Sequence, residues 1–216
     1  MKPSEKRYLE SLAVAGKETV DLFSSKNQKK REKMVVRAFL RCLGVEFSEA
    51  ELVIGPNEPI DILFGSVNFQ NMDMLGGRKP HAAWREQLKR FQAAKSINDV
   101  TDPWLSSKPL SFAELTQNIA ESLALKAYEK YGAKACAKLD ALVYVNLAGR
   151  HLYPSTFEVA PAAAQELSRQ GWRSVSMVFI PYSAVIVAKP DCPQVLRDKV
   201  GQVHMEWSSL GGWFDP

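Results

Sequence analysis

The side chains best spaced for chemistry lie in the stretch 58–73, EPIDILFGSVNFQNMD. Asp61 begins a short apolar run that is typical of a buried strand, and the polar Gln70 follows nine positions later on the next run. Adjacent strands can bring two such side chains to one point of a sheet. The alternative is that Asp61 is a strand-end aspartate that makes only local hydrogen bonds. The spacing predicts a polar site on the sheet.

The motifs of several other chemistries are missing from the sequence. It contains no P-loop, no dinucleotide-binding glycine fingerprint and no G-x-S-x-G nucleophile elbow. The three histidines lie far apart and the three cysteines are scattered, so neither type has a partner at metal-binding spacing. An enzyme built on this chain must therefore work with carboxylates, amides and lysines.

Basic side chains concentrate in two stretches. Residues 78–95 hold six lysines and arginines against one acid, and residues 26–33 hold five more. Arg85 and Lys89 are four residues apart and share a helix face. Such a patch can bind phosphates by neutralising their charge, whereas a solvated helix face without a ligand has the same composition. The candidate nucleic-acid-binding residues are Arg78, Lys79, Arg85 and Lys89.

Hydrophobic periodicity predicts alternating helices and strands. Two predicted helices span 3–23 and 80–95. Between them, a helix capped by Ser25 and Gln28 ends near Gly44. A further helix runs from Ser111 to Gly132, and another follows Ser155 and ends at Gly171. The predicted strands are 51–54, 60–64, 66–72, 141–147, 174–180 and 184–188. This order favours an α/β fold in which a mixed central sheet of about five strands has helices on both faces.

The length of 216 residues and the apolar fraction of 46% predict one folded domain. We expect this domain to span 1–190, with an N-terminal helix within 1–24 and a C-terminal tail, 191–216, packed on its body. Trp207 and Trp213 in the tail are interpreted as anchors that fold it back. The alternative is that they form a binding site for a protein partner.

The sequence predicts a cytoplasmic protein without a membrane partner. No segment approaches the ~20 consecutive apolar residues of a membrane-spanning helix. The first residues, MKPSEKRYLE, lack the apolar core of a signal peptide, and the scattered cysteines suit a reducing compartment. The net charge of +4 identifies no partner by itself.

The stretch from Asp61 to Asp73 resembles known nucleases. With Pro59 before Asp61, it resembles the PD-(D/E)XK, or restriction-endonuclease-like, superfamily. It is also similar to a bacterial family of candidate endonucleases, domain of unknown function 1780, whose pattern D-V-x-F-x-x-A-x-F-E-V-K-E aligns without a gap to D-I-L-F-G-S-V-N-F-Q-N-M-D. The segments AAKSINDVTDPW and LDALVYVNLAGRHLYP extend the resemblance over residues 30–190. The resemblance implies a restriction-endonuclease-like fold and phosphodiester hydrolysis.

The resemblance also implies roles for single residues. In such nucleases an Asp and a Glu bind Mg²⁺ through hard oxygen ligands, and a Lys two positions after the Glu orients or activates water. Carried over, the metal aspartate is Asp61, the Glu position holds Gln70 and the Lys position holds Met72. A neutral amide oxygen is a weaker Mg²⁺ ligand than a carboxylate, and Met72 has neither a charge nor a donor. We therefore expect weak Mg²⁺ binding and no other cofactor.

Other residues can replace the missing groups in such a site. Asp73 would have to be turned inward by a β-bulge, because it alternates to the other face of the strand. Glu32 lies where the superfamily often has an accessory acid, and Lys89 is the best candidate for a displaced lysine. The candidate catalytic residues are Asp61, Gln70 and Lys89, and the candidate metal ligands are Asp61, Gln70, Asp73 and Glu32.

Three functions follow as hypotheses. The first is a nuclease-fold protein with a degenerate metal site that binds DNA or RNA and cleaves it weakly or not at all. The second is an active Mg²⁺-dependent endonuclease with displaced catalytic residues. The third is a protein-interaction module that uses the tryptophans of the tail and binds no nucleic acid.

Overall fold

The computed structural model of the chain describes residues 3–75, 80–100, 108–147, 150–152 and 158–206. The helices are α1 (Pro3–Leu22), α2 (Gln28–Cys42), α3 (Pro80–Ala93), α4 (Phe112–Leu125), α5 (Ala133–Cys136), α6 (Pro161–Gln170) and α7 (Gln194–Arg197), and a π-helical segment, Lys126–Tyr131, continues α4. The strands are β1 (Val53–Ile54), β2 (Ile62–Phe64), β3 (Val67–Leu75), β4 (Lys108–Leu110), β5 (Asp140–Asn146), β6 (Arg150–Leu152), β7 (Ser174–Phe179), β8 (Tyr182–Ala188) and β9 (Val203–Met205). Within these ranges no helix is long and apolar enough to cross a membrane.

The chain divides into two compact units. The first unit consists of residues 1–31 and 75–107, and the second unit consists of residues 32–74 and 108–216.

In the first unit, α1 packs against α3. A Cβ atom at Gly16 would lie 3.1 Å from the Phe91 ring, so the missing side chain lets the two helices approach closely. The rings of Phe23 and Trp84 lie 3.9 Å apart between centroids, and the Arg31 guanidinium lies over the Phe23 ring at 5.2 Å. The predicted helices 3–23 and 80–95 are confirmed, with slightly earlier ends.

In the second unit, a seven-stranded mixed sheet is the central layer. Its strand order is β1-β2-β3-β5-β7-β8-β9, and a separate parallel pair joins β4 to β6. Strands β1, β2 and β3 form an antiparallel meander, β5 and β7 are parallel, and β8 and β9 continue antiparallel from β7. The mixed α/β fold is confirmed. The sheet has seven strands, more than the expected number of about five. All six predicted strands belong to it, and β9 is the seventh, whose three polar-flanked residues give no alternating pattern long enough to predict.

The sheet has an apolar core on each face. Val67 and Phe69 of β3 face the core that α2 and α7 cover, where the Phe69 ring meets that of Phe39 edge-on at 5.9 Å. Met72 and Met74 of the same strand face the core that α4 and α6 cover. Alternate residues of a strand point to opposite faces, so one strand supplies both cores. The expectation of helices on both faces is confirmed.

The predicted helix caps have mixed outcomes. The prediction that Ser25 and Gln28 cap α2 is wrong. A 3₁₀ turn at Ser25–Asn27 precedes α2, and no side chain caps that turn. The Ser111 cap is confirmed, because the Ser111 Oγ accepts from the backbone N–H of Glu114 at 3.1 Å. Ser155 lies outside the described residues.

The C-terminal part of the chain adds structure to the second unit. Within the expected tail, α7 and β9 form, and β9 pairs with β8. Trp207 and Trp213 lie outside the described residues, so their role as anchors stays a prediction.

A buried ion pair joins three strands of the sheet. The Asp140 carboxylate is 1% exposed and accepts from both Nε and Nη2 of Arg173. It also accepts from the Asn68 backbone N–H at 2.9 Å and from the Ser174 hydroxyl at 2.8 Å. Burial disfavours the charged guanidinium, but the contacts with Asp140 outweigh this and raise the pKa of Arg173. The pair thus connects β3, β5 and the start of β7.

We expect Arg173→Met to lower the free energy of unfolding by about 3–5 kcal/mol, because it leaves a buried carboxylate without its counter-charge. Urea unfolding measures the loss. The matched control is Arg169→Met, whose exposed pair with Glu166 spans 3.7 Å and contributes within about 1 kcal/mol. Equal losses in the two variants would contradict a stabilising role for the buried pair.

Candidate functional site

Backbone geometry places Asp61 at the start of β2. Its N–H donates to the Phe69 carbonyl at 2.9 Å, and its own carbonyl accepts from the Gly55 N–H at 2.8 Å. A Cβ atom at Gly55 would lie 2.0 Å from the Ile60 carbonyl oxygen, so this turn accepts only glycine. The tight turn therefore holds the Asp61 side chain in the sheet, where it is 5% exposed.

The structure brings Asp61 and Gln70 together. The Gln70 Nε2 donates to the Asp61 Oδ2 at 2.6 Å, and the Asn71 backbone N–H donates to the same oxygen at 2.9 Å. The Gln70 Oε1 accepts from the Tyr131 hydroxyl at 2.8 Å. Tyr131, Gln70 and Asp61 thus form a continuous chain of hydrogen bonds, which we call the Tyr–Gln–Asp chain.

The π-helical segment supplies Tyr131 to this chain. π-helical turns are rare and displace side chains from the positions that an α-helix would give them. The Tyr131 ring packs edge-on against Trp172 at 6.1 Å, and the Lys130 Nζ lies 5.0 Å from its centroid. Burial raises the pKa of Tyr131, with Lys130 acting in the opposite direction. The hydroxyl therefore stays protonated at neutral pH and remains a donor to Gln70.

Lys126 is the first residue of the π-helical segment that also supplies Tyr131, and it is not among the residues that the sequence analysis predicts. Its side chain is half-buried. Burial lowers the pKa of Lys126 and the neighbouring Lys130 lowers it further, whereas Asp61, Asp73 and Glu58 act to raise it. The repeat of lysines four residues apart near the end of a capped helix is the signal that indicates it. That signal does not reveal which strand the helix faces.

The remaining predicted residues of the second unit have different surroundings. The Glu32 backbone carbonyl accepts from the Asn71 Nδ2 at 3.2 Å, which places Glu32 beside β3. Asp73 is exposed on β3, two positions beyond Asn71. Met72 is 4% exposed and packs in the apolar core, so the position of the nuclease lysine carries no charge.

The predicted basic residues belong to the first unit. Arg85 and Lys89 are exposed on α3, and within the described ranges neither forms an ion pair. Arg78 and Lys79 lie outside those ranges. A catalytic role for Lys89 stays a prediction.

The residues around Asp61, as arranged, do not fit a Mg²⁺ ion. Gln70 turns its N–H₂ group toward Asp61 and its oxygen toward Tyr131, so the Asp61 Oδ2 and the Gln70 Oε1 already accept hydrogen bonds from protein donors. Among the described residues, no three His, Cys, Asp or Glu side chains form a group that could hold a metal ion. The arrangement stabilises a buried carboxylate with neutral donors.

Comparisons with known proteins place the chain among related sequences and folds. A family model described as "Putative endonuclease, protein of unknown function (DUF1780)" matches residues 4–209. The chain is similar to a solved structure from Pseudomonas aeruginosa strain PAO1, described as a protein of unknown function of the monooxygenase superfamily. That likeness has a TM-score of 0.65 and 24% identity, covers 95% of this chain and 97% of the other, and concerns the fold. The search of curated proteins gives no match.

We expect Gln70→Glu to make stability pH-dependent. Two carboxylates at this separation cannot both ionise, so the pKa of the pair in the folded protein rises above its unfolded value. A raised folded pKa favours the folded state at low pH, and this stability is lost as the pH rises through that pKa. Relative to wild type, the variant should lose about 1–3 kcal/mol between about pH 5 and pH 8.

Thermal unfolding at the two pH values measures this loss. Gln165→Glu, an exposed position on α6, makes the same charge change and should show no such dependence. A pH-independent Gln70→Glu variant would show that Gln70 and Asp61 are not in contact. Recovery of its stability in Mg²⁺ would show that a metal site needs only the second carboxylate.

Proposed function

We propose, since the chain belongs to the family of domain of unknown function 1780, that it is a nuclease-fold protein that binds DNA or RNA and cleaves it weakly or not at all. The observation that carries the proposal is the Tyr–Gln–Asp chain. In it, the one carboxylate of the nuclease-like pattern is held by protein donors.

The loss of catalysis follows from the chemistry of the side chains present. A neutral amide accepts no proton from water, so Gln70 cannot act as a general base. The Asp61 Oδ2 already accepts two hydrogen bonds from protein donors. Met72 offers no cation to a developing charge. In characterised enzymes the loss of one such electrostatic group raises the barrier by roughly 3–4 kcal/mol, so the three departures together suppress cleavage.

Binding of nucleic acid is supported by the distribution of charge. The first unit contains fourteen lysines and arginines and seven acidic residues, a net charge of +7. The second unit contains fourteen basic and seventeen acidic residues, a net charge of −3. Phosphate backbones are attracted by concentrated positive charge, independent of sequence. We therefore assign the main contact with nucleic acid to the first unit, and to Arg85 and Lys89 of α3 in particular.

We expect Arg85→Ala combined with Lys89→Ala to weaken binding of a labelled DNA duplex or RNA hairpin, measured by fluorescence anisotropy over a salt series. Each lost phosphate contact removes one step of counter-ion release, so the slope of log affinity against log salt should fall by about 2. The control is Lys134→Ala with Lys138→Ala, which removes equal charge from exposed positions of the second unit. Absence of wild-type binding at low salt would refute the proposal.

We expect no cleavage of plasmid DNA or structured RNA by the wild-type protein with Mg²⁺ or Mn²⁺, followed by gel electrophoresis. The physical reason is the missing second carboxylate and lysine at positions 70 and 72. Clear cleavage that disappears in Asp61→Ala would instead support an active enzyme with displaced residues, and Lys89 and Asp73 would be tested next. Cleavage that persists in Asp61→Ala would indicate a contaminating nuclease.

A further inference from the structure

The first unit covers little of its own apolar surface. Among the side chains of this unit that the structure describes, Leu9 alone is buried. Phe23, Trp84 and Phe91 pack between α1 and α3, yet each stays partly exposed. The hydrophobic stabilisation of a side chain is roughly proportional to the apolar area that it removes from water. The unit therefore retains apolar surface that a ligand can cover.

Tyr8 of α1 is the most exposed aromatic side chain among the described residues of this unit, at 49%. A second apolar side chain, Ile97, is 40% exposed. The Ile97 N–H donates to the Glu5 Oε1 at 3.0 Å, and Glu5 and Tyr8, three residues apart on α1, are neighbours on the helix surface. The two exposed apolar side chains therefore lie at the same end of the α1–α3 pair.

The charge of the first unit limits what can cover this surface. Its net charge of +7 opposes the approach of the same unit from a second copy of the chain. The exposed side chains next to Tyr8 are of mixed sign, since Lys6 and Arg7 are followed by Glu10. α1 therefore lacks the polar face rich in Lys and Arg of a helix that lies in a membrane surface. Single-stranded nucleic acid fits both features, because it offers phosphates to the positive charge and unpaired base faces to the aromatic ring.

We propose that the first unit binds single-stranded nucleic acid and that one base stacks on the ring of Tyr8. This inference rests on the proposed function and names its substrate class. In a duplex the bases are stacked on one another, so their faces are not available to the protein. Stacking on an aromatic side chain tolerates any sequence, because every base has a π face. Arg85 and Lys89 of α3 then neutralise phosphates of the same strand.

Anisotropy of a labelled oligothymidylate, compared with a DNA duplex of the same length, tests the proposal. Added salt weakens the attraction of charge for phosphate and leaves stacking in place, so the preference of the wild type for the single strand should grow as salt rises. Tyr8→Ala should weaken binding of the oligothymidylate roughly tenfold. Its salt slope should equal that of the wild type, because no phosphate contact is removed.

Two further variants separate stacking from other effects of the substitution. Tyr8→Phe keeps the ring and should bind the oligothymidylate like the wild type. Tyr128→Ala is the matched control, because it removes a tyrosine that is 60% exposed on the negatively charged second unit. It should leave binding unchanged. Binding of the duplex should be the same in Tyr8→Ala and the wild type, since a duplex offers no free base face. Circular dichroism checks that α1 stays helical, which alanine favours.

The outcomes distinguish the two proposals. If the wild type binds neither duplex, hairpin nor oligothymidylate at low salt, the proposed function fails. If it binds nucleic acid but Tyr8→Ala binds the oligothymidylate as tightly as the wild type, stacking on Tyr8 alone is refuted. Equal losses in Tyr8→Phe and Tyr8→Ala, or in Tyr8→Ala and Tyr128→Ala, would also refute it. So would a dimer in sedimentation equilibrium, or binding to anionic vesicles, that is lost in Tyr8→Ala, because a second copy or a lipid surface would then cover this ring.

Discussion

The second unit depends on one constraint: its central sheet is covered on both faces, so every charge inside it needs donors from the protein. A buried carboxylate without donors would be strongly destabilising. Asp140 meets this constraint with a guanidinium, a hydroxyl and a backbone N–H. Asp61 meets it with an amide side chain and a backbone N–H. The two carboxylates therefore differ in the charge of their donors: Asp140 has a positively charged one, and Asp61 has neutral ones.

A guanidinium neutralises a carboxylate, whereas an amide only solvates it. The donors to the Asp61 Oδ2 are neutral, and the amide of Gln70 is held in place by Tyr131. A glutamate at position 70 would place a second negative charge there and would need a cation. The amide thus removes the electrostatic need for a cation beside Asp61, and a metal ion is the cation that the nuclease pattern would place there.

The convergence of Asp61 and Gln70 follows from the sequence, because β2 and β3 form a hairpin with a tight turn. Because Ile62 pairs with Phe69 in an antiparallel register, Asp61, which precedes Ile62, lies at the level of Gln70, which follows Phe69. Lys126 does not follow from the sequence. Its place depends on how α4 packs against the sheet and on a π-helical turn, and neither leaves a periodic signal. Strands β4, β6 and β9, of three residues each, are missed for the same reason.

The family membership and the site chemistry are compatible if binding and cleavage depend on different residues. The positive charge is concentrated in the first unit, whereas the Tyr–Gln–Asp chain and its buried carboxylate belong to the second. Affinity for phosphate requires only charge at low to moderate salt, whereas hydrolysis requires several groups placed within fractions of an ångström. Substitution of one such group slows hydrolysis by orders of magnitude and leaves the long-range attraction of positive charge for phosphate in place. Gln70 and Met72 within a nuclease-like pattern are therefore compatible with the binding of phosphate groups that we propose for the first unit.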